Sequence, residues 1–188
     1  GARRLEFERR FNLAATFDQQ RVVANRRGFT LQLERKSKDN RGTADNAIVL
    51  LGIDFLDKIR AHQGSIAVEN ACAHVAELVY SALSSDDCRG VLAEGIFAVM
   101  LRGQSVTDGV LFATELNEQL ATIIGKGCRI SLSAVVAGWP AEETAETTIQ
   151  RALSALERIQ GWGGNQALEV NEIEREYTAW NLRFTGQQ

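Results

Sequence analysis

The sequence predicts an α+β sandwich of the ferredoxin-like, palm type, with a central mixed sheet flanked by helices. Three observations predict it. Ala47–Ile53 (AIVLLGI) is a continuous apolar run of strand length, as expected for a central strand buried on both faces. Residues 89–101 (RGVLAEGIFAVML) set two β-favouring runs about a tight, glycine-bearing reversal, which is the pattern of a hairpin. Apolar residues at helical spacing separate these strands from one another, so helices cross between them.

Taken in order, Leu5, Phe7, Phe11, Leu13-Ala14 and Phe17 recur between Arg and Glu pairs, and predict an amphipathic helix over 3–17. A second helix is expected from Arg21 to about Glu34, followed by a polar loop over Lys36–Asn46. The Ala47–Ile53 strand leads to a short helix over Phe55–Ala61, with a break at His62–Ser65. Val68, Ala71-Cys72, Val75, Leu78-Val79 and Ala82 then fall on one face of a long helix. After the hairpin, Val110–Ile124 reads as an amphipathic helix and Arg129–Ala137 as an alternating strand. Glu143–Ile159 reads as a helix and Gln166–Val170 as a last short strand. The organisation expected is an N-terminal linker or signalling helix (1–17), one domain (18–171) and a C-terminal tail or linker (172–188).

Composition narrows the function classes. At 188 residues, with 45% hydrophobic and 24% charged residues, the chain suits one globular domain with a substantial core. Apolar runs such as Ala47–Leu51 are far too short to cross a bilayer, and no secretory h-region follows the N-terminus. The expected setting is cytoplasmic, without membrane insertion. Gly1-Ala2 reads as a cloning remnant, so a larger, membrane-tethered parent protein is compatible with this reading. Cys72, Cys88 and Cys128 are widely spaced, and His62 and His74 lie too far apart for a single-helix metal motif. Reduced thiols and surface histidines are expected. The net charge of −3 hides a basic stretch: residues 1–42 carry eleven Lys or Arg against five acids. These charges alternate and lack interleaved aromatics, which favours a solvated helical face over a nucleic-acid surface.

Four strings, in this order, resemble the GGDEF domain, the diguanylate cyclase family. FDQQRVVANRRGF keeps an Asp (Asp18) seven residues before Asn25-Arg26-Arg27, with Phe29 following. LLGIDFLDKI is similar to the family's LLDIDxFKxIN. The hairpin sits at the place of the GGDEF turn. ALERIQGWGGN resembles the closing ALYxAKxxGRN, with Ala155-Leu156, Gly163 and Asn165 in place. The resemblance runs from about Asp18 to Val170. It implies the palm-type fold, and in active members the condensation of two GTP molecules to cyclic di-GMP.

That chemistry needs metal ions held by hard oxygen ligands, usually carboxylates. The resemblance places one ligand at Gly52 and another at Gly95, with Ile96 at the acidic neighbour. The leading turn glycines are replaced by Ala93 and Glu94, and only Phe97 remains of the five-letter motif. The guanine-reading Asn position holds Arg60, and the base-reading Asp position holds Glu69. The phosphate-binding Lys and Arg of the closing motif are replaced by Gln160 and Gly164. In the inhibitory RxxD motif Asp87 is kept while Ser84 takes the arginine's place.

The expectation is therefore a degenerate GGDEF-like domain without catalytic residues, without cofactor and without a metal ligand set. It regulates or scaffolds a bacterial cyclic di-GMP-type signalling protein through contacts with a protein partner or an adjoining signalling domain. Homodimerisation through the N-terminal helix is expected. The alternative is a non-catalytic sensor of GTP or cyclic di-GMP, with Glu69 and Asp87 as candidate nucleotide-binding residues. An active cyclase, with Asp54 as a candidate metal ligand, is more remote. Asp54 and Glu94 are candidates for proximity at the strand and hairpin ends, against a plainer reading as solvated carboxylates. Asn25 with an arginine is expected to tie the first helix to the sheet. Trp139 and Trp162 are expected in or beside the core, and Trp180 in a tail helix.

Overall fold

The structure, a computed structural model, describes residues 24–39, 45–123, 130–139 and 143–185. The expected helix over 3–17 lies outside these. Five strands form one sheet in the order β2-β3-β1-β4-β5, where β1 is Asn46–Ile53, β2 Cys88–Ala93, β3 Ile96–Arg102, β4 Leu132–Gly138 and β5 Ala167–Glu169. β1 pairs antiparallel with β3 and with β4, and β4 pairs parallel with β5. Among the described residues six helices cover the sheet: α1 (Arg26–Asp39), α2 (Leu56–Gln63), α3 (Ser65–Ser81), α4 (Val106–Ile123), α5 (Ala145–Gly161) and α6 (Val170–Thr185).

The apolar run of β1 is buried from Ala47 to Ile53, because both faces of the sheet are covered. Alternation along a strand sends successive side chains to opposite faces. Ala47, Val49 and Leu51 join one core with Ile59 of α2, Val68, Val75 and Val79 of α3, and Leu116 and Leu120 of α4. Ile48 and Leu50 join the other with Phe29 and Leu33 of α1, Ile149, Leu156 and Ile159 of α5, and Val170 and Ile173 of α6. The two faces thus hold α2–α4 and α1, α5 and α6, respectively.

Element boundaries differ from the sequence reading where a cap decides them. The first helix starts at Arg26 rather than Arg21. Ala24 pairs with Gly90 of β2, and the Asn25 carboxamide oxygen accepts from the Gly28 amide at 3.0 Å, capping the helix. It then runs to Asp39, through the first half of the expected loop. Arg26 bonds Glu146 and Gln150, so the arginine ties α1 to α5 rather than to the sheet. Only Gly64 separates α2 from α3, with its amide closing α2 on the Arg60 carbonyl at 2.9 Å. α4 begins four residues before the expected Val110. Ser105 and Asp108 bond each other's amides there in a reciprocal cap. The tail is helical from Val170, directly after β5, and Val170 and Ile173 belong to the core. α6 therefore runs across the expected 171/172 boundary.

Candidate functional site

The site implied by the resemblance lies where β1 ends beside the hairpin tip. Gly52 stands opposite Ile96 in the β1–β3 register, and the Ile53 amide donates to the Gly95 carbonyl at 2.9 Å. Positions 52 and 95 are therefore neighbours, and neither carries a carboxylate. Gly95 adopts φ +75°, which suits glycine, and a Cβ there would stand 2.8 Å from Cδ2 of Leu56 in α2. A Cβ on Gly52 would stand 2.7 Å from Nε2 of Gln160 and 3.2 Å from Cδ2 of Leu156. Gln160, at the position of the family's phosphate-binding lysine, turns inward and donates to the Ile53 carbonyl at 3.3 Å. The space beside Gly52 is filled by this side chain.

Arg60 and Glu94 form an ion pair between the end of α2 and the hairpin tip, and Arg60 also lies 3.6 Å from Asp57. The resemblance places Arg60 where the family's guanine-reading Asn is expected and Glu94 where a turn glycine is expected. The two departures from the family pattern thus meet as one salt bridge. The sequence reads Glu94 as a solvated carboxylate or a neighbour of Asp54; the structure gives it to Arg60. The legible signal was the joint appearance of opposite charges at two positions of one expected site. Cys72 of α3 is half-buried beside this pair. Burial, and then the Glu94 charge, push its thiol pKa up, against a hydrogen bond with the Gly95 backbone.

Asp54 is buried, at 3% exposure, and its carboxylate is fully engaged. Oδ2 accepts from Ser131 Oγ at 2.6 Å and from the Asn165 amide at 2.8 Å, and Oδ1 accepts from Ser133 Oγ at 2.6 Å. The Asn165 side chain in turn accepts from Asn117 at 2.7 Å, and Asn117 Oδ1 accepts from the Leu132 amide. Asp54 thus fastens the β1 end to β4 and to the loop after α5. Ser131, Ser133 and Asn117 were not singled out from sequence, because nothing local marks a serine or asparagine as a partner across 15 or more residues.

The two nucleotide-binding candidates lie apart in role. Asp87 is committed at the foot of the hairpin: Oδ2 accepts from the Ser84 amide and hydroxyl, both at 2.9 Å, and Oδ1 accepts from the Arg102 amide at 3.0 Å. Glu69 is exposed on α3. Among the described residues no three His, Cys, Asp or Glu side chains converge as a metal site. No helix among them is long and apolar enough to cross a membrane. Trp139 is half-buried and donates to the Glu143 carbonyl at 2.9 Å, as expected of a core-edge tryptophan. Trp162, by contrast, is 44% exposed where α5 ends.

Comparison with known proteins agrees with this fold. No curated protein matches the chain. The family model "Diguanylate cyclase, GGDEF domain" matches residues 15–166. The GGDEF domain of DgcB from Caulobacter crescentus, solved in complex with cyclic di-GMP, superposes with a TM-score of 0.71 at 16% identity, covering 79% of this chain and 92% of that one. Diguanylate cyclase SiaD from Pseudomonas aeruginosa, solved with its activator SiaC, gives 0.70 at 19% identity over 89% of this chain and 68% of that one. The active GGEEF domain of a diguanylate cyclase from Vibrio cholerae gives 0.67 at 18% identity, over 79% and 97%. With a family match over most of its length and a mixed five-stranded palm to carry it, the chain belongs to the GGDEF domain family.

Proposed function

We propose that this GGDEF domain has no cyclase activity and works as a regulatory or scaffolding part of a cyclic di-GMP signalling protein, through contacts with a protein partner or an adjoining domain. The observation that carries the reading is the occupied cleft. Positions 52 and 95 are adjacent and lack carboxylates, Gln160 fills the side of Gly52, and Arg60 and Glu94 bridge the gap between α2 and the hairpin tip. Phosphodiester formation between triphosphates needs charge neutralised at the reacting phosphates. Here the carboxylates that would hold magnesium are gone, and the arginine is already paired. A protein-contact role is supported by the likeness to SiaD, which was solved with a protein activator.

A second reading, a sensor that binds GTP or cyclic di-GMP without turnover, is favoured by exposed Glu69 and by the cyclic di-GMP complex of the DgcB domain. One experiment separates them. Isothermal titration with GTP and with cyclic di-GMP in magnesium, alongside a product assay for cyclic di-GMP, is expected to show neither heat nor product. Micromolar binding without product makes the domain a sensor, and Glu69→Ala then abolishes it. Product formation overturns both readings.

A further inference from the structure

We infer that α2 is a hinged lid on the cleft, turning on Phe55 and Gly64 and held shut by the Arg60–Glu94 ion pair. Its anchoring is sparse. Of the eight residues of α2, Ile59 alone is buried, and Leu56 lies half-buried against the turn at Gly95. The next helix, α3, buries Val68, Ala71, Val75 and Val79. Residues 61–66, which end α2, join it to α3 and open α3, are exposed without interruption. An element with so little buried apolar surface opens at a lower free energy than the whole domain unfolds.

Both ends of α2 are single-residue joints. Phe55 sits at φ 56° and ψ 36°, in the left-handed region, where a bulky side chain is strained. Its ring is 48% exposed with the Lys58 ammonium 4.9 Å from its centroid, so burial does not hold the residue there. No side chain caps the start of α2. At the other end Gly64 has φ 89° and ψ 174°, and nothing lies within 4 Å of where its Cβ would stand. Hinges are a few element-terminal residues that absorb a large φ/ψ change, and these two are so placed. Turning α2 outward relaxes Phe55, while Gly64 spares α3 the motion. The latch is Arg60, in the last turn of α2, paired with Glu94 at the hairpin tip. Asp57, 3.6 Å from the same guanidinium and on α2 itself, is a partner that Arg60 keeps when the lid is open. Both latch side chains are part-exposed, and such pairs change an equilibrium about two- to fivefold. The inference goes beyond the reading above, because it concerns access to the cleft whatever ligand the cleft takes.

Swung out, an eight-residue helix does not hold its own hydrogen bonds in water, so opening exposes its amides together. Residue-resolved amide exchange of the 188-residue chain, followed by NMR, therefore tests the lid. The amides from Ile59 to Gly64 are expected to share one opening constant, at least about tenfold larger than those of Ala71 to Val79. Glu94→Gln is expected to raise it about two- to fivefold and leave α3 unchanged. Sodium chloride at about 0.5 M is expected to do the same to the wild type and not to the variant. Phe55→Asn, which enters the left-handed region with less strain, is expected to lower it. Protection of α2 equal to that of α3 overturns the inference. Constants that grade upward toward Gly64 overturn it too, since they describe a fraying helix end. So does a Glu94→Gln effect of equal size on both helices, which is general destabilisation.

Discussion

Replacing Asp54 by alanine tests whether this carboxylate is a fastening of the fold or the remnant of a metal site. In the wild type it accepts from two serine hydroxyls and one backbone amide, at 2.6, 2.6 and 2.8 Å. Hydrogen bonds to a charged acceptor contribute about 1.5–3 kcal/mol each. The three are not additive, because the half-buried Ser131 hydroxyl can turn toward water and the cost of burying the charge is relieved. Ser133 is fully buried and the Asn165 amide is fixed at φ +55°, so these two donors lose their partner outright. The net loss is about 3–5 kcal/mol, the range for stranding partners of a buried charge. For a chain of this size that lowers the melting temperature by about 10 °C. Urea unfolding followed by circular dichroism reads the loss directly, with and without 10-fold steps of magnesium. A loss below about 1 kcal/mol would refute the reasoning, since three buried bonds cannot be so inexpensive to remove. Magnesium stabilising the wild type but not Asp54→Ala would refute it differently, by making the carboxylate a metal ligand.

Two further outcomes follow from the same contacts. Gly52→Asp is expected to cost about 1–3 kcal/mol through crowding against Gln160 and Leu156, and Gln160→Ala to recover part of it in a double-mutant cycle read by urea unfolding. At the start of α4, hydrogen bonds from the Ser105 amide and hydroxyl hold the Asp108 carboxyl pKa below its ordinary value. A depressed carboxylate contributes stability that is complete above its unfolded pKa, about 3.9, and lost as pH falls through the folded value. Melting temperature measured from pH 6 to pH 2.5 is therefore expected to fall less steeply in Asp108→Asn than in the wild type.

The centre of the sheet was legible because β1 and β3 are among the most apolar stretches of the chain. Ala47–Ile53 and Ile96–Leu101 are long enough and uninterrupted enough that no other element suits them. Helix starts were less legible. Arg21 to Glu34 has helical composition, but the Asn25 cap and the pairing of Ala24 with Gly90 set the start, and the second of these is a contact across 66 residues. At the site, the missing carboxylates were readable one by one from the strings around Gly52 and Gly95. What replaced them was less readable. The Arg60–Glu94 bridge leaves a trace only when the two positions are read together as opposite charges in one site, and the inward turn of Gln160 leaves none, because it depends on which side chains the fold brings together. Asp54 shows the same limit: its identity suggested a metal ligand, while its partners 77 and 79 residues away make it a fastening.

The junction between β5 and α6 has a mechanical consequence. Glu169 is the last strand residue and Val170 the first helical one, so no loop lies between them to absorb a bend. Arg151 reinforces the joint, reaching Glu143 at 2.9 Å and Glu174 at 3.3 Å and binding the outgoing helix to the shoulder of α5. A displacement of the helix at its Trp180 end therefore meets no hinge loop at this junction, and the Arg151 pairs oppose its swinging away from α5.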